Sequence, residues 1–330
     1  MTPIWKRWLL AGVRVVLGGA LLVLAFRQID WAQIGPTLAG ASPAWLLLGL
    51  LSVLLSLWLR IWRWQCLLAN YHLPVSLKNV AGAYLVGQAA NIVMPVRTGE
   101  ILRFGWLRAR HPEGSVAMVA SIAIEKYLDL GMLLLFFVAV MPSLPVKVLE
   151  DNLNILIITS SLLTVLIVVG AISGPRIGLW LSGAAKQHFT WATAALDPLV
   201  RWLADSAWMQ SPRRFLPALV LSLASWAVMT LTNLLVMLAV GLPWNPRAAV
   251  LVLVLVYLGS APALVPGNVG PFHFFSMLAL SLLGISGAKS AAFALFLHAL
   301  VTLPPLLLSA AVMLVSERFP KKGGLHSHES

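Results

Sequence analysis

Asn91, Pro95, Arg97, Gly99, Glu100 and Arg103 lie between residues 91 and 103 of a chain that is 60% hydrophobic. Ionised side chains are costly in hydrocarbon, at about 2.5 to 3.5 kcal/mol for a charge at a helix centre on insertion scales. Arg97, Glu100 and Arg103 therefore need partners, water or a headgroup. Pro95 lacks an amide proton and Gly99 relaxes the backbone, so a helix broken at Pro95 and restarting near Gly99 would aim amide donors at an anion. Such breaks at membrane depth occur only inside protein or beside a water-filled cavity. The segment reads as a substrate or gating element; the alternative is a cytoplasmic loop with its arginines at the headgroups.

Glu125 and Asp129 are one helical turn apart and share a face, while Lys126 projects elsewhere. Their natural partners are Arg97 and Arg103, or Arg60 and Arg63. Such pairing has two readings: countercharge for a ligand, or a buried ion-pair network that fixes the first hairpin. Arg60 and Arg63, flanked by Trp58, Trp62 and Trp64, have the pattern of a helix end whose arginines snorkel to anionic headgroups. His273 and His298 are secondary candidates, for which a neutral buried imidazole is the commoner role than a proton relay. The sequence has no Gly-x-Ser-x-Gly elbow, no His-Glu-x-x-His and no P-loop. No catalytic residue, metal or cofactor is expected.

These residues need a membrane scaffold. Mean hydropathy is +0.90 and charged residues make up 10% of the chain, which places all 330 residues in one polytopic membrane domain. The net charge of +12 follows from the positive-inside rule without invoking nucleic acid. Cys66 is the only cysteine, so an intramolecular disulfide is impossible.

Apolar runs at 8–26, 43–59, 115–141, 153–173, 215–241 and 288–315 predict six transmembrane helices, against a requirement of roughly 20 residues each. Regions 80–103 and 248–285 are broken by Pro and Gly and predict two re-entrant hairpins. The fold expected is thus all-α. With the N-terminus cytoplasmic, only Arg27, Lys147, Arg247 and Lys289 face outward, and the tail 317–330 also lies inside. Tryptophans 5, 8, 31, 45, 58, 62, 64, 208 and 244 read as interfacial anchors. Residues 174–214 predict an interfacial insert.

The order span, span, hairpin, span occurs twice, over 1–145 and 150–316, and three crossings per half make this an inverted-topology repeat. Pro95 and Gly99 of the first hairpin are answered by Pro266 and Gly270 of the second, which marks these four as hinge residues.

With these motifs the chain resembles the lysylphosphatidylglycerol synthase transmembrane family, also called the flippase-like domain family. The resemblance rests on Arg63-Trp64, on Asn91-x3-Pro95-x-Arg97-x-Gly99-Glu100-x2-Arg103, on Glu125-Lys126-x2-Asp129 and on Pro266-x3-Gly270. It implies a multi-pass protein of the bacterial inner membrane, consisting of the membrane unit without the soluble aminoacyl-transfer domain. His273 stands where many members carry glutamate, which implies a different coupling or a different lipid. The function expected is a flippase or transporter for an anionic or polyprenyl-phosphate-type lipid. Asn91, Arg97, Glu100, Arg103, Arg63, Glu125 and Asp129 would form the substrate site, with Lys126 secondary. Two alternatives stand beside it: an intramembrane lipid or glycolipid transferase using Glu125 or Asp129 as base, and a non-catalytic partner of a cytoplasmic lipid-modifying enzyme.

Overall fold

The computed structural model describes residues 4–27, 29–94, 98–143, 208, 211–260 and 265–317. The predicted span at 153–173, nearly all of the insert at 174–214, the tail from 318, and Pro95 and Arg97 lie outside them. The described residues form ten α-helices and no strand: α1 (Ile4–Phe26), α2 (Trp31–Ala39), α3 (Pro43–Asn70), α4 (Leu77–Val93), α5 (Gly99–Arg108), α6 (Ser115–Val140), α7 (Pro212–Ala239), α8 (Pro246–Gly259), α9 (Pro271–Ser281) and α10 (Ala288–Glu317). Three stretches, Pro43–Asn70, Pro212–Ala239 and Ala288–Val315, are long and apolar enough to cross a membrane. Helix α6 has the length, at 26 residues, but carries Glu125, Lys126 and Asp129 at its middle.

The helix faces follow the logic of a lipid solvent. On α3 the leucines at 47, 48, 51 and 55 are exposed, while Gly49, Ser52 and Ser56 are buried. Lipid solvates leucine as well as another helix does, so small and hydroxylated residues occupy the seam instead. The seam is the long contact between α3 and α7. Ser42 N–H donates to the Ala239 carbonyl, Ser52 and Thr232 hydroxyls meet at 2.8 Å, and Asn70 donates to the Arg214 carbonyl, so the two helices run antiparallel from end to end.

These two helices are built alike. Each has 28 residues and opens Ser-Pro, at Ser42-Pro43 and at Ser211-Pro212. Each ends in a left-handed residue, His72 (φ 58°) or Gly241 (φ 70°), and the next amide reaches back in a Schellman bond, Leu73 to Leu68 or Leu242 to Met237. A Leu-Pro pair and a capping side chain then start the next helix, with Ser76 accepting from Asn79 N–H and Asn245 from Ala248 N–H.

Both regions predicted as hairpins are helix, break, helix. Helices α4 and α5 pack antiparallel: a Cβ on Gly87 would meet Gly99 and Arg103, and one on Gly82 would meet Trp106. Helices α8 and α9 pack with Gly259 under the Phe275 ring, and their connection contains a 3-10 turn at Pro266–Asn268. Gly270 (φ 99°) lies against the backbone of Gly18 on α1, in a conformation and a space that only glycine fits.

The remaining packed pairs are α3 with α4, α6 and α10, α7 with α6, α8 and α10, α4 and α9 with α10, α5 and α8 with α6, α1 with α9 and α2 with α10.

Two sequence expectations are corrected. The second span continues to Asn70 instead of ending at 59, so Arg60 and Arg63 lie inside a helix and are buried rather than snorkelling. Trp64 and Trp208 are buried too, whereas Trp31, Trp45, Trp58, Trp62 and Trp244 are exposed as anchors would be.

Candidate functional site

Asn91 closes the last turn of α4 and its side-chain oxygen accepts from Gly99 N–H at 2.8 Å. A helix start leaves amides without internal partners, and this bond satisfies one of them across the break. It also sets the register of α5, on which Glu100 and Arg103, one turn apart on one face, both line the cleft toward Glu125 and Lys126. Asn91 Nδ2 lies 3.4 Å from Glu100, whose carboxylate pairs with Lys126 of α6 at 2.6 Å. This pair is half-exposed, with Lys126 at 45% and Glu100 at 23%.

Behind it lies a second layer, in which Arg63, Arg103 and Glu125 are buried and Asp129 is 19% exposed at the cavity. Arg63 has no exposed surface and forks onto Asp129 with bonds of 2.7 and 3.3 Å, while its Nη2 is also 3.3 Å from Glu125. Arg103 binds the other oxygen of Glu125 at 2.5 Å and lies flat over the Trp64 indole, 3.4 Å from its centroid, with Tyr84 at 4.8 Å. The indole N–H of Trp64 donates to Ser121 and that of Trp226 to Asp129. Helices α3, α5, α6 and α7 thus converge on two carboxylates. A bidentate guanidinium–carboxylate pair, as Arg63 makes with Asp129, together with further hydrogen bonds is the arrangement that offsets desolvation of the ions.

A cavity of about 470 Å³ opens in front of the half-exposed layer. Arg60, Glu100, Lys126 and Asp129 bring charge to its lining, and Leu133, Val252, Val256 and Leu297 bring apolar surface. A narrow extension of about 30 Å³ runs between Gly87, Gly99, Arg103 and Glu125. Both hairpin breaks reach the cavity, the first through Asn91 and Glu100, the second through Gly267 and Asn268. His298 lines it and donates from Nε2 to the Gly267 carbonyl at 2.7 Å, which ties α10 to the second break. The His273 ring sits 4.8 Å from that of His298 but outside the cavity lining, buried between Phe26 and Phe272.

The structure therefore brings Asn91, Glu100, Arg103, Arg63, Glu125, Asp129 and Lys126 into one cluster on the first-hairpin side. Residues that the sequence did not place in the substrate site are Gln88, Asn233, Tyr257 and above all Arg60, which it offered only as a partner for the two carboxylates and which lines both the cavity and its extension. A signal for Arg60 existed: apolar residues continue past it at Ile61, Leu67 and Leu68, so the helix has no reason to stop at 59.

A family model described as the lysylphosphatidylglycerol synthase TM region matches residues 10–309. No curated protein matches the chain.

Proposed function

Since the chain belongs to the lysylphosphatidylglycerol synthase transmembrane-region family, a membrane family tied to lipid, we propose that it moves an anionic or polyprenyl-phosphate-type lipid between leaflets of the bacterial inner membrane. The observation that carries this reading is the cavity itself, whose lining combines four charged side chains with apolar ones and which both helix breaks reach. A phospholipid is amphipathic in the same sense. Its headgroup would enter the cavity while its chains stay in lipid. The lipid crosses unaltered, so no side chain acts as a catalytic base.

The site divides by how its charges are paired. Arg63, Arg103, Glu125 and Asp129 pair with one another and join α3, α5 and α6, with Ser222 and Trp226 adding α7; in this reading they support the site. Lys126 is 45% exposed and Glu100 is its one ion-pair partner, with Asn91 a longer contact to the carboxylate, so an incoming anion exchanges for Glu100 at little cost. Release reforms the pair.

Movement between two access states follows from an inverted repeat, for which the packing gives support. Exchanging α3 with α7, α4 with α8, α5 with α9 and α6 with α10 carries the α3–α7 pair onto itself and each other packed pair named above among these eight helices onto another of them. The antiparallel α3 and α7, alike in length and caps, are the elements such a two-fold would interchange. Rocking of the halves about this seam would expose the cavity to one leaflet and then the other.

In vesicles reconstituted with the purified protein, headgroup-labelled phosphatidylglycerol should become accessible from the opposite side faster than in protein-free vesicles. Lys126→Ala should slow that transfer by about tenfold, the loss of one charge-assisted contact, while its thermal unfolding stays near wild type. Equal rates with and without protein would reject the function; a wild-type rate in Lys126→Ala would reject the role given to the exchangeable pair.

A further inference from the structure

We propose that Arg60 is the receptor for a phosphate oxyanion in this cavity; that the oxyanion belongs to a lipid headgroup rests on the function proposed above. The inference comes from charge matching. Among the described residues of the cluster, Arg63, Arg103 and Lys126 are matched by Glu100, Glu125 and Asp129, each in an ion pair of 3.3 Å or less. Arg60 is the cation left over. It is 9% exposed, and no carboxylate among the described residues comes within ion-pair distance of it. Asp129 shares its wall, but both Asp129 oxygens are taken by Arg63.

The partners Arg60 does have are neutral. Its Nη2 donates to the Tyr257 hydroxyl at 2.7 Å and contacts the Met229 sulfur at 2.6 Å. These hold the side chain in place and leave its charge standing. Its Nε has no partner, as is also true of Arg63 and Arg103, but the terminal nitrogens of those two reach carboxylates. A guanidinium has five donors in a planar fork, which fits two oxygens of a phosphate. A buried cation with no carboxylate in ion-pair contact is costly, and methionine or leucine would fill the same place in a helix of this hydropathy at no such cost. An oxyanion ligand supplies the missing charge. Arg60 comes from α3 and is held by Met229 of α7 and Tyr257 of α8, so an anion bound there meets a group fixed by three helices.

The test is thermal unfolding of the full chain in an uncharged detergent, titrated with phosphatidylglycerol, with diacylglycerol as the phosphate-free control and with inorganic phosphate. Phosphatidylglycerol should raise the unfolding temperature of wild type and Arg60→Lys, diacylglycerol should not, and Arg60→Gln should require at least about tenfold more phosphatidylglycerol for the same shift. Without lipid, Arg60→Gln should unfold at or above the wild-type temperature, because a surplus buried charge is gone. An Arg60→Gln protein that unfolds well below wild type would show the arginine to be structural, and one stabilised by phosphatidylglycerol as wild type is would show another receptor; either overturns the proposal. Stabilisation by inorganic phosphate equal to that by phosphatidylglycerol, and lost in Arg60→Gln, keeps Arg60 as receptor and sinks the lipid reading. Binding through Arg60 in a protein that moves no lipid in vesicles sinks only the transport reading.

Discussion

Replacing Glu125 with glutamine is expected to destabilise the protein more than any other single change at the site. Glu125 is 2% exposed and lies between two guanidiniums, Arg103 at 2.5 Å and Arg63 at 3.3 Å. Glutamine keeps the shape and one acceptor but removes the charge. Arg63 still has Asp129; Arg103 is left with the faces of Trp64 and Tyr84. Removing one partner of a buried ion pair costs about 3 to 5 kcal/mol, because the other charge stays buried. The thermal unfolding temperature in detergent, together with the yield of monodisperse protein, measures the loss. The double variant Glu125→Gln/Arg103→Met restores one arginine to one carboxylate and is expected to recover most of it, since deleting both members of a pair is far cheaper than deleting one. Wild-type stability in Glu125→Gln would mean that the carboxylate is not needed where it sits, and would return Glu125 to the list of residues free to meet a ligand.

Gly99→Ala is the second. Helices α4 and α5 touch through glycine, and a Cβ on Gly99 would fall on the Gly87 carbonyl and on the side chain of Asn91. Backbone cannot turn aside as a side chain can, so the hairpin must open. Overpacking of this kind costs about 1 to 3 kcal/mol, and the displaced Asn91 also releases the Gly99 amide it caps. Glu100 and Arg103 sit one and four residues further along the displaced helix, so lipid transfer in vesicles is expected to fall by more than tenfold, beyond the loss in stability. Gly105→Ala is the matched control on α5. Nothing lies within 4 Å of a Cβ there, and alanine in a helix interior is favoured over glycine by about 0.5 to 1 kcal/mol, so it should be neutral or stabilising. Equal behaviour of the two variants would contradict the close approach.

The contrast between Glu125 and Lys126 shows how one helix serves two purposes. The two are adjacent in sequence, yet one faces the buried guanidiniums of Arg63 and Arg103 and the other faces the cavity. Helical geometry turns successive residues by about 100°, so a single turn of α6 supplies both the support and the exchangeable contact.

Much of this was legible in the residues. Hydropathy gives the membrane class because its cause, the cost of polar groups in hydrocarbon, acts on composition. Pro and Gly mark both helix breaks because they act locally on the backbone, and the one-turn spacing of Glu125 and Asp129 puts them on a common face whatever surrounds them. The family motif from Asn91 to Arg103 is local in the same way: Asn91 caps the helix that starts at Gly99.

What spacing could not decide was partnership. Arg60 and Arg63 read as the end of a span because two arginines among tryptophans are costly in lipid, and the cost disappears only if another helix brings compensation. Helices α6 and α7 do so for Arg63, with Glu125, Asp129 and Ser222. Tyr257 and Met229 hold Arg60 without neutralising it. For Arg60 and Arg63, whether the charge is matched depends on residues 62 to 197 positions away in the chain, which a window of sequence does not contain. Composition and backbone chemistry are properties of the residues themselves and so are fixed by the sequence locally; the balance of charge in the cavity is a property of which helices meet, and the tertiary structure alone sets it.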